Sequence, residues 1–199
     1  MDKSKFCKLS KEVIWKAWQQ VKRNKGGCGV DGETIEAFEQ KLNRNLYKLW
    51  NRMNSGSYFP PEVRGVDIPK RDGKFRRLGI PTVMDRVAQT AIKIILEPTL
   101  EAIFLEDSYG YRPGRSAHDA IRVTRERCFK LDWLVEFDIV GMFDNISHEL
   151  LMKAVRCHTE NKGVLLYVER WLKASMRTAD GKIEPREKGT HKAELYHRC

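Results

Sequence analysis

Apolar residues recur every three or four positions along several stretches of the chain, and this spacing predicts a largely helical protein. The first helix covers residues 10–23 with Ser10 as its N-cap, and a second carries the apolar residues from Ile35 to Trp50. Later helices are predicted over residues 85–104 with a break at Pro98, over 117–129, from Ser147 or His148 onward, and over about 163–176.

Two segments have the pattern of strands instead. Residues 64–81 place apolar positions on both sides of the turn Arg71-Asp72-Gly73-Lys74, which predicts a β-hairpin stopped by Pro81. Trp133 to Ile139 is a short, mostly apolar run that predicts a strand ending near the acidic residue Asp138. Helices combined with a hairpin and this strand predict an α+β fold.

Composition adds a basic surface to this picture. The 199-residue chain is 41% hydrophobic, with a net charge of +10 and a pI near 9.4. Lys and Arg occur along its whole length, which favours a nucleic acid partner over a basic protein without one. No apolar run suits a membrane span or a secretion signal. The five cysteines form no CxxC pair, which disfavours a zinc site or disulfide framework and indicates a reducing cytoplasm.

The sharpest chemical feature is the segment from Phe137 to Ile146, in which Asp138 follows the apolar run. A carboxylate at the end of a buried strand can hold Mg²⁺, a hard cation that takes oxygen ligands. Two such ions can activate a 3′-hydroxyl and stabilise leaving pyrophosphate. Alternatively, Asp138 forms a turn or caps a helix, and Asp144 suits the role of a cap for the helix at Ser147 better.

Five cations surround the tip of the predicted hairpin. Such a tip can close over a triphosphate, because lysine supplies a mobile charge and arginine a two-pronged donor. Taken alone, the tip is explained more simply as a solvated turn whose charges protect a strand edge. The five cations are Lys70, Arg71, Lys74, Arg76 and Arg77.

Aromatic, arginine and glycine residues alternate from Ser108 to His118, as in loops that stack on nucleic acid. An ordinary loop in which Ser116 caps the next helix explains the same pattern. His118 is by default a surface or core imidazole.

In this order the segments resemble the fingers and early palm of bacterial group II intron reverse transcriptases. The matching segments are residues 24–32, 68–81 with Asp85, Arg86 and Gln89, 96–98, 108–116 and 137–148. Each is weak alone, and five in the right order are specific. The resemblance implies a right-hand polymerase with an N-terminal extension and first fingers helices (1–60), fingers (61–130), a partial palm (131–190) and a tail outside the family (191–199).

The resemblance also implies roles for individual residues. Asp138 matches the catalytic, metal-binding aspartate, with the backbone carbonyl of Ile139 as a second ligand of Mg²⁺ or Mn²⁺. Lys70 and Arg76 match residues that hold the dNTP triphosphate, and Phe143 matches an aromatic gate against the ribose 2′-hydroxyl. The positions expected to contact nucleic acid are Asn24, Lys25, Gly26, Gly27, Arg86, Gln89, Arg112 and Arg115.

The implied function is RNA-directed DNA synthesis, with intron RNA binding as a second role of a maturase. The expected partners are intron or template RNA, a DNA primer and dNTP, in a bacterial cytoplasm. Three alternatives stay open: a non-enzymatic RNA-binding remnant, an inert product that folds poorly, and a CRISPR-associated or diversity-generating reverse transcriptase.

The family continues after Lys-Gly-Thr with Pro-Gln-Gly-Gly and, later, a Tyr-Ala-Asp-Asp turn, whereas Lys188-Gly189-Thr190 is followed here by His191 to Cys199. Synonymous codons for this tail can read Pro-Gln-Gly-Gly-Val-Ile-Ser-Pro-Leu after one inserted C and a shift of frame. The hypothesis is a single-base deletion that removes the second aspartate motif. Codons around position 190 that cannot yield Pro-Gln-Gly-Gly in the neighbouring frame would exclude it.

The purified 199-residue polypeptide is expected to show no Mg²⁺-dependent dNTP incorporation in a primer-extension assay. Metal catalysis of this kind needs carboxylates from both aspartate motifs, and Asp138 supplies only one. Robust incorporation by the purified chain would contradict this expectation.

Overall fold

The structure, a computed structural model, describes residues 7–69, 73 and 75–190. The chain divides into two compact units, the first formed by Met1–Ile95 with Gly141–Cys199 and the second by Leu96–Val140. The elements in chain order are α1 (Lys11–Asn24), α2 (Ile35–Gln40), α3 (Leu42–Asn54), β1 (Val63–Pro69), β2 (Phe75–Ile80), α4 (Val83–Glu101), α5 (Ala117–Cys128), α6 (Met142–Asn145), α7 (His148–His158), α8 (Lys162–Leu172), β3 (Met176–Arg177) and β4 (Ile183–Glu184).

The helices before the hairpin contribute part of the core of the first unit. The predicted first helix is confirmed as α1, and the Ser10 hydroxyl accepts a hydrogen bond from the Val13 amide. Trp18 stacks on Phe38 with ring centroids 5.1 Å apart, and both rings are buried. The predicted second helix is two helices, α2 and α3, because the backbone leaves helical geometry at Lys41.

A four-stranded sheet of order β2-β1-β3-β4 lies in the first unit. The predicted hairpin is confirmed as the antiparallel pair β1 and β2, in which Val66 lies opposite Leu78. The turn residues 70–72 and 74, including Lys70, lie outside the described residues, as does the tail 191–199.

The predicted end of the last helix, at residue 176, is wrong. Helix α8 ends at Leu172, and Met176 is a buried residue of β3 that pairs in parallel with Val63 of β1. A two-residue strand has no periodicity of its own, so its apolar side chain is easily counted as a continuation of the helix.

The predicted helix break at Pro98 is also wrong, because α4 continues through Pro98 to Glu101. Proline lacks an amide hydrogen and therefore removes one hydrogen bond, to the carbonyl of Ile94 four residues earlier. Only three helical residues follow Pro98, which is less than one turn. The helix therefore loses little beyond the one hydrogen bond that proline cannot make.

The second unit contains α5, which begins with a capping box between Ser116 and Asp119. The predicted strand from Trp133 to Ile139 is absent, because none of the described residues forms a backbone ladder with it. Its side chains are open to solvent, with Trp133 and Phe137 both 90% exposed. An apolar run becomes a strand only where a neighbouring strand satisfies its amides and carbonyls.

None of the described helices is both long enough and apolar enough to cross a membrane.

Candidate nucleic-acid interface

A pocket of about 390 Å³ in the first unit brings six of the predicted nucleic-acid contacts together. We call it the α4 pocket, because one face of that helix forms a wall; the Gly-rich loop (residues 24–32) forms another, and the hairpin forms the floor. Its volume lies within the range of small-ligand sites. The lining residues are Val21, Asn24, Lys25, Gly26, Gly27, Val66, Ile68, Leu78, Gly79, Ile80, Pro81, Arg86, Gln89, Thr90 and Lys93.

The Gly-rich loop needs glycine where it approaches the rest of the unit. Gly26 has φ +111°, and a Cβ there would lie 2.5 Å from Nη1 of Arg86. At Gly29 a Cβ would lie 2.6 Å from the backbone of Thr82, just before α4. Glycine at these two positions lets the loop lie against the start of α4. Lys25, between them and α1, also has a positive φ, of +56°.

The guanidinium of Arg86 binds the backbone of this loop. Its Nη1 donates to the carbonyl of Lys25 and its Nη2 to the carbonyl of Gly27, both at 2.9 Å. Burial lowers the pKa of Arg86, and the charge of Asp31 opposes that shift. Arg86 was predicted to contact nucleic acid, and two of its donor groups are bonded to the loop.

Arg86→Ala is expected to loosen the Gly-rich loop while the rest of the unit stays folded. Two hydrogen bonds of about 0.5–1.5 kcal/mol each are lost, so trypsin should cut after Lys25 roughly 5- to 150-fold faster. Limited proteolysis with mass spectrometry measures this rate. Arg44→Ala, which removes an exposed arginine of α3, is the matched control, and an unchanged rate after Lys25 in Arg86→Ala would rule out the bracing role.

Asp85, one residue earlier, carries the most buried carboxylate of the described residues, at 1% exposure. Its Oδ1 accepts hydrogen bonds from the Tyr58 hydroxyl and from Nε1 of Trp171, and its Oδ2 accepts one from Nε2 of Gln89, each at 2.8 Å. Burial raises the pKa of Asp85, and these three hydrogen bonds oppose the shift. The carboxylate therefore joins α4, α8 and the loop that follows α3 behind the α4 pocket.

The sequence predicts Asp85 as the start of a helix and as part of a family match, but it does not predict this buried role. The available signal was helical spacing, since Asp85, Ala88 and Ile92 fall on one face and are all buried. Its partners Tyr58 and Trp171 are 27 and 86 residues away, so no local pattern could reveal them.

Asp85→Asn should change how stability depends on pH. An acid whose pKa is raised by folding favours the folded state at low pH, and that contribution is lost as pH rises above the unfolded value. Asparagine does not titrate, and its carbonyl can still accept from Tyr58 and Trp171. The melting temperature of Asp85→Asn minus that of the parent should therefore increase from about pH 4 upward; parallel curves would contradict the raised pKa.

Phe143, the predicted gate, is 51% exposed and lies in the short helix α6 of the first unit. Its carbonyl accepts a hydrogen bond from the Thr190 amide at 2.7 Å, and the Gly189 amide donates to Ile146. A Cβ at Gly189, which has φ +77°, would lie 2.7 Å from the Phe143 carbonyl oxygen. The segment from Lys188 to Thr190 thus fixes the backbone that carries Phe143.

Asp138 and Ile139 lie in the second unit, in the segment that was predicted as a strand and forms none. Both are exposed, with Ile139 at 69%. Within the described residues, no three His, Cys, Asp or Glu side chains converge as a metal site would require. One carboxylate and one carbonyl are too few to enclose a divalent ion, so these residues alone do not make a metal centre.

The two arginines predicted in the loop of the second unit differ in their surroundings. Arg112 is nearly buried and binds Glu101 with Nη2 at 2.6 Å, while its Nη1 donates to the carbonyls of Leu105 and Ser108. Glu101 raises the pKa of Arg112. Arg115 is exposed, with its guanidinium 5.6 Å from the ring centre of Tyr109. Arg112 therefore braces its own loop, and Arg115 faces solvent.

Arg76, predicted to hold triphosphate, lies exposed on β2 opposite Ile68 of β1. Its proposed companion Lys70 is outside the described residues.

Comparison with known proteins identifies relatives of this chain. The sequence pattern of the family described as reverse transcriptase (RNA-dependent DNA polymerase) matches residues 68–194. The chain is 33% identical to the group II intron-encoded protein LtrA of Lactococcus lactis subsp. cremoris over 169 residues, which cover 83% of this chain and 28% of LtrA. It is 38% identical to protein YkfC of Escherichia coli (strain K12) over 151 residues, 73% of this chain and 40% of YkfC. The chain thus spans less than half of either relative.

Among solved structures, a chain of a Cas6-RT-Cas1–Cas2 complex superposes with a TM-score of 0.58. The match covers 91% of this chain and 19% of that one, at 23% sequence identity. At this identity the likeness concerns the fold alone.

Proposed function

The chain belongs to the reverse transcriptase (RNA-dependent DNA polymerase) family, as the sequence analysis predicts, and we propose that it serves RNA-directed DNA synthesis by a group II intron maturase. Its fold is the α+β fold of that family's fingers region. The similarity to LtrA and to nuclear intron maturase 1 of Arabidopsis thaliana, 34% identical over 106 residues, supports the intron class. The proposed partners are intron or template RNA, a DNA primer and dNTP, in a bacterial cytoplasm.

The observation that carries the proposal is the chemistry of the α4 pocket. Its floor is apolar, formed by Val66, Ile68, Leu78 and Ile80, and its walls carry the cations Lys25 and Lys93. An apolar floor can take the face of a base, and ammonium groups at the walls can bind the flanking phosphates. A single strand of RNA presents both groups at every nucleotide, which supports a template-holding role.

The remaining predicted residues belong to the same proposal. Phe143 would exclude a ribose 2′-hydroxyl from the incoming nucleotide, and Lys70 and Arg76 would bind its triphosphate. Asp138 and the Ile139 carbonyl would contribute to binding Mg²⁺ or Mn²⁺, which supplies charge stabilisation for phosphoryl transfer when bound. Because the described residues give this ion only one carboxylate and one carbonyl, we derive no catalytic step from them.

An RNA-binding protein without polymerase activity is the second candidate, since the α4 pocket does not depend on a metal. A CRISPR-associated class is less well supported, because the likeness to the Cas6-RT-Cas1–Cas2 complex concerns the fold alone. Primer extension beside an RNA-binding titration separates polymerisation from binding alone.

The 199-residue chain is expected to bind single-stranded RNA in a strongly salt-dependent way, and Lys25→Glu should weaken that binding. Each phosphate contact contributes a slope of about −0.7 to a plot of log affinity against log salt. Losing the contact at Lys25 should therefore make the slope shallower by about 0.7. Fluorescence anisotropy of a labelled RNA at several salt concentrations measures both quantities.

Two further variants make this test specific. Lys153→Glu reverses an exposed charge on α7, outside the α4 pocket, and controls for the change in net charge. Arg115→Glu tests the loop of the second unit, and it is cleaner than a change at Arg112, whose replacement would leave Glu101 unpaired. Equal affinities and slopes for Lys25→Glu and Lys153→Glu would contradict nucleic acid binding in the α4 pocket.

A further inference from the structure

Gln89 connects the buried carboxylate to the α4 pocket. It lies one helical turn after Asp85, donates from Nε2 to Oδ2 of Asp85 at 2.8 Å, and lines the pocket. Its side chain is therefore held on one side by the interior of the unit and open on the other to any bound strand.

The hydrogen bonds around Asp85 determine which end of the Gln89 amide faces the pocket. An indole Nε1 only donates hydrogen bonds, and the structure has Nε2 of Gln89 donating to Oδ2 of Asp85. Trp171 and Tyr58 donate to Oδ1, which leaves Oδ2 for the amide nitrogen of Gln89. The amide oxygen, Oε1, is consequently turned away from Asp85, and in the described part of the chain no residue donates a hydrogen bond to it.

We propose that Oε1 of Gln89 accepts a hydrogen bond from the ribose 2′-hydroxyl of the strand in the α4 pocket, and that this contact makes the pocket prefer RNA to DNA. The inference rests on the proposed function, since it requires a nucleic acid strand in the pocket. The 2′-hydroxyl is the donor that every ribonucleotide carries whatever its base, and DNA lacks it. Asp85 is the positioning residue, because its Oδ2 accepts from Nε2 and so sets the direction of the amide.

Binding of three labelled strands of one sequence to the 199-residue chain tests the proposal. The strands are RNA, DNA and 2′-fluoro RNA, which keeps the sugar pucker of RNA but has no hydroxyl to donate. RNA should bind about 2- to 10-fold more tightly than DNA, the range that one hydrogen bond of ordinary net strength gives. The 2′-fluoro strand should bind like DNA. If it binds like RNA, the preference comes from sugar pucker and the proposal is wrong.

Two variants locate the effect. Gln89→Met keeps the length of the side chain without the amide, so its affinity for RNA should fall to that for DNA, and its affinity for DNA should not change. Lys93→Met removes a pocket charge and should weaken both strands by the same factor. If Gln89→Met and the parent have the same ratio of RNA affinity to DNA affinity, the proposal is wrong. If this variant does not fold, the comparison of the three strands on the parent chain still decides the question.

The result also separates this inference from the proposed function. Strands that bind with equal affinity, and that depend on Lys25, would overturn the role of Gln89 and leave nucleic acid binding in place. Binding that is unchanged in Lys25→Glu would show that the strand does not lie in the α4 pocket. That result would contradict both nucleic acid binding in the pocket and the role of Gln89.

Discussion

The first unit depends most on the hydrogen bonds that the buried carboxylate of Asp85 accepts. This carboxylate is almost fully buried, and the Tyr58 hydroxyl, the Trp171 indole and the Gln89 amide donate to it from three helices or their flanks. A buried anion is costly unless hydrogen bonds replace its water, so each of these partners is constrained in position. Because Asp85 lies in the first turn of α4, the constraint also fixes the wall of the α4 pocket.

Arg86, the next residue of the chain, connects the buried residues around Asp85 to the Gly-rich loop. Arg86 donates two hydrogen bonds to the carbonyls of Lys25 and Gly27, and Gly26 of the Gly-rich loop has a φ of +111° that favours glycine. Arg112 acts similarly in the second unit through Glu101 and two carbonyls. In both units one arginine holds the backbone of a loop, while a different cation of that loop, Lys25 or Arg115, is exposed.

Local sequence patterns predicted the elements whose stabilising contacts are between residues close together in the sequence. The Ser10 cap of α1, the hairpin of β1 and β2, and the capping box at Ser116 all follow from residues within a few positions of each other. The sequence also pointed to residues that the α4 pocket brings together, from Asn24 to Gln89. What it missed depends on distant partners: the bonds of Asp85, the pairing of Met176 with Val63, and the absence of a strand at 133–139, where an apolar run found no ladder among the described residues.

Hydrogen–deuterium exchange of the 199-residue chain, with and without a saturating single-stranded RNA, tests most directly whether the α4 pocket holds the strand. Amide exchange reports local opening, and a bound strand should suppress it where the loop is clamped. Slower exchange is expected in the Gly-rich loop, centred on residues 25–29, with little change in α7. Protection confined to peptides outside the Gly-rich loop, the hairpin and α4 would contradict it.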